Sequence, residues 1–269
     1  MSYGSYGAPE PPVVALARRG DAPSAAAARQ RRVTTIVTIV CVALVAASVV
    51  FLWRHYANTR AAAANAAANS TQITPPHLTN DASAITSSAA DPKPGAVTVD
   101  VHMDYQCPAC KIYEDYFGGA FDQLIANGDI IVNYHIRSFL DTALSNDSSL
   151  RAGIAAACAD TVGAFQAYHD TIYANQPETE GDGYTDDQLR AAFATQAGIA
   201  GNDLTTFQTC YDSRRTADVV AQMEPLNAQN PAVTGTPTFL IDGAPVDLTT
   251  TAADSAALLA TLKAAAGIG

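Results

Sequence analysis

Two cysteines three residues apart, Cys107 and Cys110, stand between a strand-like segment and a helix-like one, and this junction constrains the chain more than any other feature. Upstream, Val97, Val99 and Val101 alternate with Thr98, Asp100 and His102, the period of a strand. Downstream, Ile112, Tyr113, Tyr116, Phe117, Phe121, Leu124 and Ile125 recur at helical spacing over residues 111–126, and Gly118-Gly119 within them predicts a kink. A Cys-x-x-Cys pair in this position sets its first sulfur against the free N–H groups and the positive dipole end of a helix, which favour thiolate over thiol. Cys107 is therefore the expected nucleophile. Cys110, one turn inside the helix, is placed to attack a mixed disulfide on Cys107 and release the substrate. Pro108 suits the first helical position because it has no N–H to lose.

A zinc half-site is the competing use of such a pair, and it needs two further ligands in paired spacing. Outside the apolar N-terminal run only Cys158 and Cys210 remain, isolated from each other and from any paired histidines, so redox chemistry is favoured and no metal site is expected. In an oxidising compartment two cysteines left over in one domain tend to pair. Cys158 and Cys210 both fall on expected helices and are read as a structural staple, with a second redox pair as the rival.

The remaining pattern supplies an α/β plan. Residues 130–136 read as a second strand after the turn Asn127-Gly128-Asp129. A helical block follows from about 140 to 225, with Thr185 and Gln188 spaced as a capping box. Residues 238–241 and 244–248 flank Asp242-Gly243, a two-residue hairpin signal, and residues 252–266 close as a helix. Strand, helix, strand, helical insert, hairpin and helix make a mixed sheet with helices on both faces. His102, His135 and His169 are read as solvent-facing or satisfied in the core rather than catalytic.

Residues 33–53 are an uncharged apolar run of 21, enough for a helix rising ~1.5 Å per residue to cross ~30 Å of hydrocarbon. Arg29, Arg31 and Arg32 precede it, so the positive bias places the N-terminus in the cytoplasm and everything after Trp53 outside. A cleaved signal peptide is the alternative, although its apolar core is normally shorter, ~7–15 residues. Residues 1–32 are expected to be a disordered cytoplasmic tail, and residues 54–95, poor in large apolar side chains, a flexible linker. Beyond residue 96 seven Lys or Arg face twenty-two acids, a net of −15 that repels polyanions, so no nucleic-acid partner is implied.

The stretch from Val99 to Cys110, VDVHMDYQCPAC, joined to Val233–Gly243, VTGTPTFLIDG, resembles the DsbA-like thioredoxin superfamily, and with the anchor and second cysteine pair it most resembles the actinobacterial, mycobacterial-type members. The resemblance covers residues 96–269 and implies a thioredoxin fold with a helical insertion. It also implies that Pro237 is a cis-proline beside the active pair and that Thr236 offers backbone groups to an extended substrate. Gly235, Pro108, Ala109 and Tyr105 join the expected substrate surface. Two departures matter. Thioredoxin and the enterobacterial DsbA carry a buried acid six residues before the first cysteine, where this chain has Val101; that role then falls to Asp104, another group or water. The enterobacterial enzyme also has a histidine between its cysteines, where this chain has Ala109, so a milder oxidant is expected.

The resulting expectation is a membrane-anchored oxidase that introduces disulfides into reduced exported proteins, with no cofactor beyond the Cys107–Cys110 disulfide. A membrane reoxidase of the DsbB or vitamin K epoxide reductase type is implied as its partner. The alternatives are a reductase or isomerase, a metallochaperone, or an interaction module with an idle disulfide.

Overall fold

A computed structural model describes residues 29, 34–51, 53–54 and 71–268. It divides into an N-terminal unit, residues 1–59, and a second unit, residues 60–269. In the first, Thr34–Phe51 is an 18-residue helix of mean hydropathy 2.5 with none of its residues buried by protein. Arg29, Trp53 and Arg54 are also helical. The expectations for the rest of residues 1–32 and for residues 55–70 lie outside the described residues.

The second unit is built on a five-stranded sheet in the order β1-β3-β2-β4-β5. β2 (Val97–Asp104) and β3 (Ile130–Arg137) are its parallel centre. β1 (Ile85–Ser87) pairs antiparallel with β3, and β4 (Thr238–Ile241) pairs antiparallel with β2 and with β5 (Ala244–Pro245). β2 begins with the expected alternation and ends with every residue from Val101 to Asp104 buried. A central parallel strand is covered on both faces, so strict alternation is lost there. The hairpin between β4 and β5 turns on Asp242 and Gly243, whose φ angles are +50° and +79°, as the Asp-Gly pair predicts.

α1 (Pro108–Ala126) follows β2 and buries Phe117, Phe121 and Leu124, with the Phe121 and Tyr113 rings against Phe239 of β4. α1 is continuous helix through Gly118-Gly119. Gly118 is buried on the core side of this helix, and a Cβ there would lie 3.0 Å from Glu114 Oε1 of the preceding turn.

The helical insert runs from Phe139 to Asn227: α2 (Phe139–Leu144), α3 (Ser148–Asp160), α4 (Phe165–Ala174), a π-helical turn at Gln188–Ala192, α5 (Phe193–Gln196), α6 (Gly201–Asp212) and α7 (Ala217–Asn227). Thr185 and Gln188 do form a capping box: the Thr185 amide donates to Gln188 Oε1 at 2.8 Å and the Gln188 amide to Thr185 Oγ1 at 3.2 Å. α3 is buried along nearly its whole length because it is made of small residues. At Gly153 an added Cβ would lie 2.8 Å from Val220 of α7 and 3.0 Å from Ile136 of β3, so the close crossing requires glycine. α8 (Ser255–Ala265) ends the domain, its first turn capped by Asp254, which accepts from the Ala257 amide.

One boundary differs from the sequence expectation. Residues 71–95 are part of the folded unit rather than linker: β1 pairs with β3, the Ile73 amide donates to the Arg215 carbonyl, and His77 binds the buried Asp160 through both its amide and its Nδ1. This segment is tied down by hydrogen bonds more than by apolar burial, so its composition hid it.

Candidate active site: a dithiol at a helix N-terminus

Cys107 is the N-cap residue of α1, in extended conformation, and Pro108 occupies the first turn. Its backbone amide donates to the Asp104 carbonyl, which closes the loop between β2 and α1. Both thiols are free and nearly buried, Cys107 being 7% exposed and Cys110 3%. Pro108 and Ala109 are exposed beside them.

The second wall of the site is the segment before β4. The Thr236–Pro237 peptide bond is cis, as the resemblance implied. The Cys107 thiol donates to the Thr236 carbonyl, Sγ to O 3.4 Å. The Thr236 hydroxyl is buried without a hydrogen-bond partner. Gly235 is exposed next to it.

These surroundings separate the two thiols. Hydrogen bonding from Cys110, with Thr236 and the free amides of Ala109 and Cys110 adding to it, outweighs burial and lowers Cys107 to about 6. Burial pushes Cys110 well above the usual thiol range, and the Cys107 sulfur beside it adds to the rise. At neutral pH one sulfur is a thiolate and its neighbour a thiol.

One expectation is corrected, and the fold gives Asp104 its surroundings. Tyr105 is not on the surface: it is fully buried, its hydroxyl 3.2 Å from His169 Nδ1 and its ring against Tyr173. Its carbonyl accepts from Tyr184 Oη at 2.6 Å and from Gln176 Nε2 at 2.8 Å, so residues of the insert close over it. Asp104 is buried, as the resemblance implies for such an acid, and its carboxyl is held by three donors. It accepts from Ser149 Oγ at 2.5 Å and the Gln106 amide at 2.9 Å through Oδ1, and from the Leu140 amide at 3.3 Å through Oδ2. Its backbone, rather than its carboxyl, hydrogen-bonds to Cys110. Burial carries the Asp104 carboxyl up to about 7 despite these donors.

Sequence reasoning missed three residues that hold the loop. Gln176 Nε2 also donates to the Cys107 carbonyl at 3.1 Å. Gln106 Nε2 donates to Asp141, Asn146 and Ser149 at 2.8–2.9 Å. Tyr184 reaches in from the insert. Gln176 and Tyr184 lie 69 and 79 residues from their partners, beyond any local pattern.

Cys158 of α3 and Cys210 of α6 are joined by a disulfide, both buried, away from the dithiol in sequence and tying two helices of the insert. His102 and His135 stack at 4.1 Å between centroids; His135 binds Asp100 and the Ser83 carbonyl, and His102 Nδ1 is buried without a partner. His169 is buried beneath Tyr105.

A thioredoxin-type sheet, a dithiol at a helix N-terminus and a cis-proline segment facing it define a thiol-disulfide oxidoreductase of the DsbA-like class. The thioredoxin family profile matches residues 92–261, and the chain belongs to that family. Among solved structures, reduced DsbA from Mycobacterium tuberculosis is 26% identical, with a TM-score of 0.52 over 69% of this chain and 93% of that one. The disulfide bond oxidoreductase DsbG from the same organism is 26% identical, with a TM-score of 0.52 over 68% and 88%. The thiol-disulfide oxidoreductase MdbA from Actinomyces oris is 20% identical and alike in fold, with a TM-score of 0.57 over 73% and 94%. A comparison with curated proteins by sequence returns no match.

Proposed function

We propose that this protein oxidises dithiols of exported proteins on the outer side of the membrane. The oxidised Cys107–Cys110 pair accepts attack by a substrate thiolate at the Cys107 sulfur, the intramolecular S–S bond breaks, and Cys110 takes up a proton as it leaves. A second substrate thiolate then attacks the sulfur bound to Cys107, forms the substrate disulfide and leaves Cys107 as a thiolate. The two electrons stay on the enzyme, and a membrane reoxidase of the DsbB or vitamin K epoxide reductase type removes them. Thr236 offers its backbone to an extended substrate, with Gly235, Pro108, Ala109 and Pro237 completing the surface, while Tyr105 supports the loop from beneath.

The observation that carries the direction of exchange is the position of Cys107 at the N-terminus of α1, where the Cys110 thiol and the Ala109 and Cys110 amides favour its thiolate and lower it to about 6. A stabilised thiolate stabilises the reduced enzyme, which makes the disulfide the stronger oxidant; ~1.4 kcal/mol corresponds to ~30 mV. The 18-residue apolar helix near the N-terminus supports an anchor, with the arginines before it inside and the catalytic domain outside. The test sets oxidative refolding of a reduced model substrate beside insulin reduction. Wild type is expected to drive the first efficiently and Cys107→Ser to do neither. Insulin reduction without oxidative refolding would overturn the reading in favour of a reductase.

A further inference from the structure

One turn beyond Cys110, α1 meets α4 at a second group of titratable side chains. Glu114 lies on α1, and His169 and Asp170 are consecutive on α4. One ligand atom from each, a carboxylate oxygen or an imidazole nitrogen, lies within 4.8 Å of the other two. Asp122, two turns further along α1, faces the same place: Gln166 Nε2 donates to Asp122 Oδ1 and to Asp170 Oδ1, each at 3.0 Å. Among the described residues no Lys or Arg pairs with these three carboxylates; the cationic partner within reach is the imidazole, Nε2 to Glu114 Oε1 3.4 Å.

The imidazole is the second, independent observation. His169 is fully buried, and its Nδ1 is engaged with the Tyr105 hydroxyl at 3.2 Å. Its Nε2 faces Glu114 Oε1 at 3.4 Å without forming a well-aligned hydrogen bond, and the buried Gln166 Oε1 in the same group has no partner. Buried polar atoms without partners are rare in folded proteins and call for a physical account. When the imidazole is neutral with its proton on Nδ1, Nε2 presents a lone pair toward Glu114, a repulsion relieved either by protonating Nε2 or by a cation standing between them.

We propose that Glu114, His169 and Asp170 bind one divalent transition-metal ion of the zinc type, through His169 Nε2 and one oxygen from each carboxylate. An imidazole with two carboxylates suits zinc, manganese or iron rather than calcium or magnesium, which take all-oxygen sets. Zinc wants its ligands at ~2.0–2.2 Å, which a small inward movement of the partly exposed Glu114 and Asp170 supplies. The bound ion fixes the imidazole tautomer, so His169 Nδ1–H donates to Tyr105 and steadies the loop before Cys107. It also clamps the helix that carries the dithiol to the insert. The site is independent of the direction of disulfide exchange, and its assembly from two helices 55 residues apart explains why cysteine and histidine spacing in the sequence did not reveal it.

The test uses the full-length chain in detergent, with Cys107 and Cys110 oxidised and Cys41 alkylated so that no thiolate competes. Calorimetric titration with zinc chloride is expected to give one ion per chain and a raised Tm. Glu114→Gln and Asp170→Asn should each weaken binding tenfold or more, while the exposed Glu178→Gln leaves it unchanged. Cobalt(II) should give visible absorption without a thiolate charge-transfer band, a signature that a merely structural role for these residues would not produce. Absence of stoichiometric binding by wild type, or binding that Glu114→Gln leaves intact, would overturn the site and leave a buried imidazolium–Glu114 ion pair.

Discussion

The Cys107 sulfur lies 3.4 Å from the carbonyl oxygen of Thr236, a residue 129 positions away that packs against it from the strand side of the fold. The helix N-terminus favours the thiolate and the carbonyl favours the thiol, so the balance depends on the remaining donors. The Thr236 hydroxyl beside the sulfur is buried without a hydrogen-bond partner and is free to donate once the sulfur ionises.

Thr236→Val keeps the shape and removes that donor. Hydrogen bonds to charged groups contribute ~1.5–3 kcal/mol, so the Cys107 midpoint should rise by about one pH unit. The pH dependence of alkylation at Cys107, read by mass spectrometry, measures this directly.

Cys107 also makes the stability of the reduced form depend on pH. Its folded midpoint, about 6, lies below the 9.0 of an unperturbed thiol, so the stabilisation is complete above pH 9 and is lost as pH falls through 6. The reduced protein should therefore gain stability relative to the oxidised protein between pH 6 and 9, by on the order of 1 kcal/mol at pH 7 once solvent screening is allowed for. Urea unfolding of both redox forms at several pH values tests it.

Asp104 has the opposite sign. Its carboxyl titrates near 7 when folded against 3.8 unfolded, so the folded state holds the extra proton between those values and stability falls as pH rises through them. Wild type should lose on the order of 4 kcal/mol between pH 4 and 7 that Asp104→Asn does not lose. Parallel denaturation curves for the two proteins should diverge across that window and run parallel above it.

Replacing both Cys158 and Cys210 with alanine opens a cross-link between residues separated by 52 positions. Loop closure of that length contributes on the order of 4 kcal/mol in the chain-entropy model. The double variant should unfold at lower denaturant while thiol exchange at Cys107 keeps its rate in the folded protein. A loss of exchange without unfolding would assign the pair to electron relay instead.

The dithiol was legible because its signals are local: alternation in β2, helical spacing in α1 and a proline at the first helical position. The hairpin was legible for the same reason, since Asp242 and Gly243 alone supply the positive φ angles of its turn. Segments held by polar contacts were not. Residues 71–95 dock through His77 on Asp160, Thr86 on Asn133 and Gln72 on the Arg214 carbonyl, across separations of 83, 47 and 142 residues, with little apolar periodicity to betray them. Tyr105 reads as a surface aromatic beside the active pair, yet Tyr173, Gln176 and Tyr184 from the insert enclose it. Asp104 is one candidate for the missing buried acid, and only the fold brings Ser149 and the α2 N-terminus to its carboxyl.

The central claim is that Cys107 is an acidic thiolate while Cys110 remains a protected thiol. Brief iodoacetamide trapping of the reduced wild-type protein from pH 4 to 9, with the labelled cysteine identified by mass spectrometry, tests it most directly. Labelling of Cys107 should be half-maximal at about pH 6, with Cys110 untouched throughout. A Cys107 midpoint near 9, or Cys110 reacting first, would contradict the account.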